Sequence, residues 1–150
     1  MQPLQLPACD LKVVHEQGQT KVYDFLRRRF LLLTPEEWVR QHFTHWLTEH
    51  KRYPASLLAN EITVRVGGVS RRCDSVLYHR EGAAPQMIIE YKAPHIPVTQ
   101  AVFQQIYSYN SVLRADYLVV SNGLTHYCCH VDYATRQVSF LPAIPDYEDL

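Results

Sequence analysis

The run Met87-Ile88-Ile89-Glu90-Tyr91-Lys92 constrains this chain more than any other part of it. Its first half is continuously apolar rather than alternating, as expected of a strand covered on both faces inside an α/β sheet. Its second half is charged. Residues two apart on a strand project to one face, so Glu90 and Lys92 point together while Ile89 and Tyr91 point the other way. A charge at the end of a buried strand needs a partner or a task, because taking it out of water is costly. Asp74, in the preceding strand-like segment RRCDSVLY, would bring a second carboxylate to the same place if the two strands pair. Two carboxylates and a lysine can hold a divalent cation and position or deprotonate a water molecule for phosphodiester hydrolysis.

The 150 residues predict one domain spanning 1–150, long enough to bury a core without disulfide or metal staples. Cys9, Cys73, Cys128 and Cys129 show no CxxC spacing, so no disulfide framework is expected. No apolar run has the length of a membrane-spanning helix, and Met1 to Asp10 lacks the basic start and apolar middle of a secretory signal. A cytoplasmic protein without a membrane partner is therefore expected. The formal net charge of zero argues against a strong autonomous nucleic-acid field. Basic residues nevertheless concentrate before Asp74, among them Arg27, Arg28, Arg29, Arg65, Arg71 and Arg72, while Asp146, Glu148 and Asp149 close the chain.

Residues 1–20, proline-bearing and aperiodic, predict an irregular N-terminal arm, and Val22 to Leu33 is packed but ambiguous in state. Thr34, Pro35 and Glu37 have the spacing of an N-cap, a first-turn proline and a capping box, opening a helix that carries Trp38, Val39, Phe43, Trp46 and Leu47 to about Lys51. Strands follow over 61–66, 72–78 and 86–91. The pattern continues with a helix over 98–113, a strand over 116–120, an Asn122-Gly123 turn and strands over 124–132 and 137–141. The order helix, three strands, helix, strand predicts an α/β domain with a mixed central sheet flanked by helices.

An acid in the second strand and Glu-x-Lys in the third, together with TPEEWVRQ, RRCDSVLY, IIEYKAP, QQIYSYN and the SNG turn, resemble the PD-(D/E)xK nuclease superfamily. The closer likeness is to the N-terminal nuclease domain of type I restriction enzyme R subunits, over roughly residues 22–130. This resemblance implies a restriction-endonuclease-like core of α-β-β-β-α-β order and a magnesium-dependent DNA endonuclease, with manganese as an alternative ion. It maps catalysis onto Asp74, Glu90 and Lys92, and the metal ligands onto Asp74, Glu90 and the main-chain carbonyl of Tyr91. Glu36 or Glu37 would be the supporting acid of the first helix, although acids in a first helical turn also serve the cap and dipole. Gln105 and Tyr109, four apart on one helical face, match the QxxxY motif found beside such sites. Cys73 stands where the superfamily name has proline, a position without chemistry of its own.

DNA is the partner implied, with other restriction-modification subunits or a motor domain, since the chain carries no GxxxxGK[ST] segment of its own. The alternative is a nuclease-fold module that binds DNA or assembles without cutting, which the zero net charge favours. His126, Cys128 and His130 alternate along a predicted strand and could face one zinc ion, although their spacing fits no standard zinc pattern.

Overall fold

A computed structural model describes residues 1–150, apart from the side chain of Tyr109. The chain opens with three short antiparallel strands, β1 (Val13–Glu16), β2 (Gln19–Asp24) and β3 (Arg29–Leu32). The irregular arm expected over residues 1–20 thus ends before Val13. Gln17 and Gly18 link β1 to β2 with φ of 50° and 75°, as a tight hairpin turn requires; glutamine is a weak signal for such a turn. The irregular part is pinned down. Gln5 N donates to Gly123 O at 2.8 Å, Trp38 Nε1 donates to Gln2 O at 2.9 Å, and Leu4 and Leu6 pack against the core.

Helix α1 (Pro35–Glu49) begins where the cap signals place it, with Thr34 Oγ1 accepting the Glu37 amide at 3.1 Å. Strands β4 (Leu58–Val66), β5 (Val69–Tyr78) and β6 (Pro85–Tyr91) then form an antiparallel meander. Helix α2 (Gln100–Asn110) crosses over to β7 (Tyr117–Ser121), which lies parallel to β6. β8 (His126–Asp132) and β9 (Gln137–Leu141) extend the sheet antiparallel. The six strands lie in the order β4-β5-β6-β7-β8-β9.

The two helices cover opposite faces of this sheet, which is why the apolar run in β6 does not alternate. On one face Val39, Phe43 and Leu47 of α1 pack with Leu77, Met87, Ile89, Tyr91, Val119 and Cys128. On the other, Phe103 and Leu113 pack with Val76, Ile88, Leu118, Val120 and Cys129. Phe103 is buried there, whereas its neighbour Val102 is only half-buried. Among the described residues no helix is long and apolar enough to cross a membrane.

The Asn122-Gly123 turn ties the irregular N-terminus to the sheet. Gly123 has φ +84°, and a Cβ there would lie 2.7 Å from Leu4 Cδ2 and 3.2 Å from Val39 Cγ2. Gly123→Ala is expected to cost about 1–3 kcal/mol, from backbone strain and overpacking together. Urea unfolding measures it, and an unchanged midpoint would show that Leu4 is not seated on this turn.

Candidate active site at the sheet fork

β5 and β6 keep one register through Leu77↔Met87, Val76↔Ile88 and Ser75↔Ile89. One further step would pair Asp74 with Glu90, and there the strands part. The Tyr91 N–H is donated instead to Asp74 Oδ2 at 2.8 Å. β6 meanwhile stays on β7 through Tyr91↔Ser121, and Lys92 N donates to Ser121 O at 2.9 Å. On the other side of β5 the ladder skips the same position: Asn60↔Ser75 is followed by Ile62↔Cys73, with Glu61 between them at φ 51°. The sheet forks at Asp74.

The fork opens a cavity of about 350 Å³ lined by Glu36 from the first turn of α1, by Asp74, Glu90, Tyr91 and Lys92, and by Gln105, Ile106 and Asn110 of α2. Of the residues singled out from sequence, Asp74, Glu90, Lys92, Glu36 and Gln105 therefore meet at one place. The Tyr109 side chain lies outside the described residues. Glu37 is turned away and buried. Its Oε1 accepts from Arg27 Nη2 at 2.7 Å and Arg40 Nη1 at 2.6 Å, and its Oε2 accepts from Gln41 Nε2 at 3.0 Å. Only half of the capping box forms, because two arginines outbid the N-cap amide for this carboxylate.

Glu90 is held by Asn110, whose Nδ2 donates to its Oε1 at 3.1 Å. Burial first, and then the charge and hydrogen bond of the adjacent Asp74, push the Glu90 carboxyl well above the usual carboxylate range; Asn110 and Lys92 oppose this only in part. Two carboxyl groups that share so small a space hold a proton between them, or else a cation. Asn110 Oδ1 is also buried without a hydrogen-bond partner. The donor set, two facing carboxylates and an unpartnered amide oxygen, is all oxygen and suits a hard divalent ion.

A charged network stands behind Asp74. Arg40, 4 % exposed, places Nη1 on Glu37 and Nη2 on Glu61 Oε1 at 2.7 Å, with Asp74 Oδ1 3.5 Å away and the Tyr91 ring centroid at 5.6 Å. Burial works against its charge, but Glu37, Asp74 and Glu61 outweigh it and raise its pKa. Asp24, fully buried at the end of β2, accepts from Arg27 Nε, from the Leu26 and Arg27 amides, and from Asn60 Nδ2 at 3.0 Å. Burial opposes its ionisation too, and these donors prevail, lowering its pKa. Asn60 Oδ1 accepts from Ser75 Oγ at 2.6 Å, and Ser75 Oγ lies 2.9 Å from Tyr91 Oη.

Sequence reading alone misses Asp24, Arg27, Arg40, Asn60, Ser75 and Asn110. One signal was available: Glu37, Arg40, Gln41 and Thr44 follow helical spacing beside the apolar stripe of α1 and are all buried. A polar stripe of this kind reads by default as a solvated face.

The alternating set His126, Cys128 and His130 is committed to packing. His126 Nδ1 lies 2.7 Å from Ser121 Oγ and Nε2 lies 3.1 Å from Gln5 O, Cys128 is in the core, and the His130 ring packs at a tilt against Tyr117, 5.0 Å between centroids. Among the described residues no group of three or more His, Cys, Asp and Glu is arranged to hold a metal ion.

The sequence profile of a family described as the type I restriction enzyme R protein N terminus matches residues 35–145, which include the whole fork. The chain belongs to this family. A solved structure described as a fragment of an HsdR subunit of a type I restriction enzyme from Vibrio vulnificus YJ016 is similar, with a TM-score of 0.55 and 24 % identity. That likeness, one of fold, covers 79 % of this chain and 24 % of the other. No curated protein matches the chain. The family range begins at α1 and leaves β1–β3 outside, although Asp24 and Arg27 join the charged network behind the fork from there.

The raised pKa of Glu90 makes a stability prediction. An acid whose folded pKa lies above its unfolded value binds more protons folded than unfolded, so it lowers stability as pH rises from the usual carboxylate range toward the raised value. Removing the charge with Glu90→Gln should stabilise the ion-free protein by about 1–2 kcal/mol at pH 8, a gain of roughly 2–8 °C in Tm, and by less at pH 5. Thermal melts across pH 5–9 in the presence of a chelator test this; equal gains at both ends would mean that Glu90 is not held protonated.

Proposed function

We propose that this R protein N-terminal domain is a magnesium-dependent endodeoxyribonuclease of PD-(D/E)xK type, with a restriction-endonuclease-like core running from α1 to β7. The observation that carries this reading is the meeting of Asp74, Glu90 and Lys92 at the sheet fork, where Lys92 and the shared Arg40 offset the charge of the two acids only in part. Asp74, Glu90 and the Tyr91 main-chain carbonyl would hold magnesium, or manganese in its place. The ion would neutralise charge on the scissile phosphate and acidify water.

The remaining work falls to side chains. Glu36, exposed at the mouth of the cavity, is the supporting acid, since both oxygens of Glu37 are engaged elsewhere. Lys92 orients the attacking water and offsets charge that develops on the phosphate. Asn110 keeps one Glu90 oxygen turned toward α2. Gln105 binds the DNA backbone without reading sequence, and the spacing of Tyr109 gives it the same task. The proposed partners are DNA and the remaining subunits or motor domain of a restriction-modification system.

Cleavage of plasmid and single-stranded DNA with magnesium or manganese tests the reading. Lys92→Ala should slow cleavage by about 100-fold or more, and calorimetric binding of manganese should disappear in Glu90→Ala. Undiminished cleavage by Lys92→Ala would overturn the assignment, and DNA binding without cleavage in either metal would favour the non-catalytic module.

Gln105 is exposed, so Gln105→Ala should reduce cleavage or DNA affinity about tenfold while shifting stability by under about 0.5 kcal/mol. Lost stability with normal activity would instead make Gln105 a structural residue.

A further inference from the structure

We propose that Arg40 is the positioning residue of the fork, fixing Asp74 from behind so that its carboxylate meets Glu90. The fork could close by continuing the β5–β6 ladder one step; two contacts hold Asp74 out of that ladder. Oδ2 takes the Tyr91 amide at 2.8 Å, and Oδ1 faces Arg40 Nη2 at 3.5 Å. The same Nη2 grips Glu61 at 2.7 Å, the residue opposite Asp74 that interrupts the β4–β5 ladder at φ 51°. A planar guanidinium carries several donors in a fixed fork, so one side chain can set both neighbours, which a single ammonium cannot do.

Arg40 is itself held from behind. Glu37 ties it to Arg27, and Arg27 is tied to Asp24 at the end of β2, so β1–β3 brace the site without touching the cavity. A second polar route runs from Asp24 through Asn60 and Ser75 to the Tyr91 phenol. Asp74 and Tyr91, the two ends of the fork hydrogen bond, are thereby referred to one buried carboxylate. A merely structural salt bridge would have no reason to end there.

The significance of this role for turnover rests on the nuclease reading, but its direct readout does not. In Arg40→Gln the Tyr91 amide should exchange with deuterium at least about tenfold faster, while the Ile88 amide, deeper in β6, keeps its protection. With manganese and DNA, kcat should fall about tenfold or more at nearly constant KM, and Arg40→Lys should recover only part of it. Should Arg40→Gln fail to fold, Glu61→Gln, on the half-buried side of the network, takes its place with the same expected pattern. Unchanged Tyr91 exchange in a folded variant would overturn the proposal, as would full recovery of kcat by Arg40→Lys. If wild-type protein cuts no DNA while the exchange effect is seen, the nuclease reading falls and the positioning role stands.

Discussion

The hydrogen bond from the Tyr91 amide to the Asp74 carboxylate organises this domain. A main-chain donor at the end of a ladder is given to a side chain, and the antiparallel pairing of β5 with β6 ends one residue early. β6 continues on β7 without interruption, so the sheet splits rather than ends. Because α1 and α2 lie on opposite faces, the split opens a cleft that both can reach: Glu36 from one side, Gln105 and Asn110 from the other.

Burying so many charges is favourable only when every one is matched. The cluster of Asp24, Arg27, Glu37, Arg40 and Glu61 approaches that condition through short, charge-assisted bonds, several of them to shared oxygens. Arg40 Nε and Gln41 Oε1 nevertheless remain buried without a hydrogen-bond partner. A hydrophobic cluster of equal volume would cost less to bury. Such a cluster could not hold a carboxylate in a chosen orientation, and orientation is what the fork needs. The same network makes β1–β3 part of the working unit although they precede the matched family range.

The zero net charge of the chain and the strongly charged fork are compatible because the charge is arranged locally. Arginines and acids cancel across the buried network, leaving the two facing carboxyl groups and Lys92 as the site's own polarity. Long-range steering of a polyanion is not what such an arrangement supplies.

The sequence by itself determined the elements from α1 onward and singled out Asp74, Glu90 and Lys92, which the structure brings to the fork. The cap at Thr34, the apolar run of β6 and the Asn122-Gly123 turn are local signals written in neighbouring residues, and the i, i+2 relation of Glu90 and Lys92 follows from the pleat alone. It could not show that β1 to β3 form a sheet, because a Gln17-Gly18 turn is weak and the strands are short. Nor could it decide between Glu36 and Glu37: adjacent acids in one helical turn have the same local claim, and only the arrival of Arg27 from β2–β3 and Arg40 from the next turn removes Glu37 from the cavity. Asp24, Asn60, Ser75 and Asn110 were invisible for the same reason. Each acquires its role from a partner 15 or more residues away in the chain, such as Ser75 with Asn60 or Asn110 with Glu90, and such pairings exist only once the sheet has brought them together.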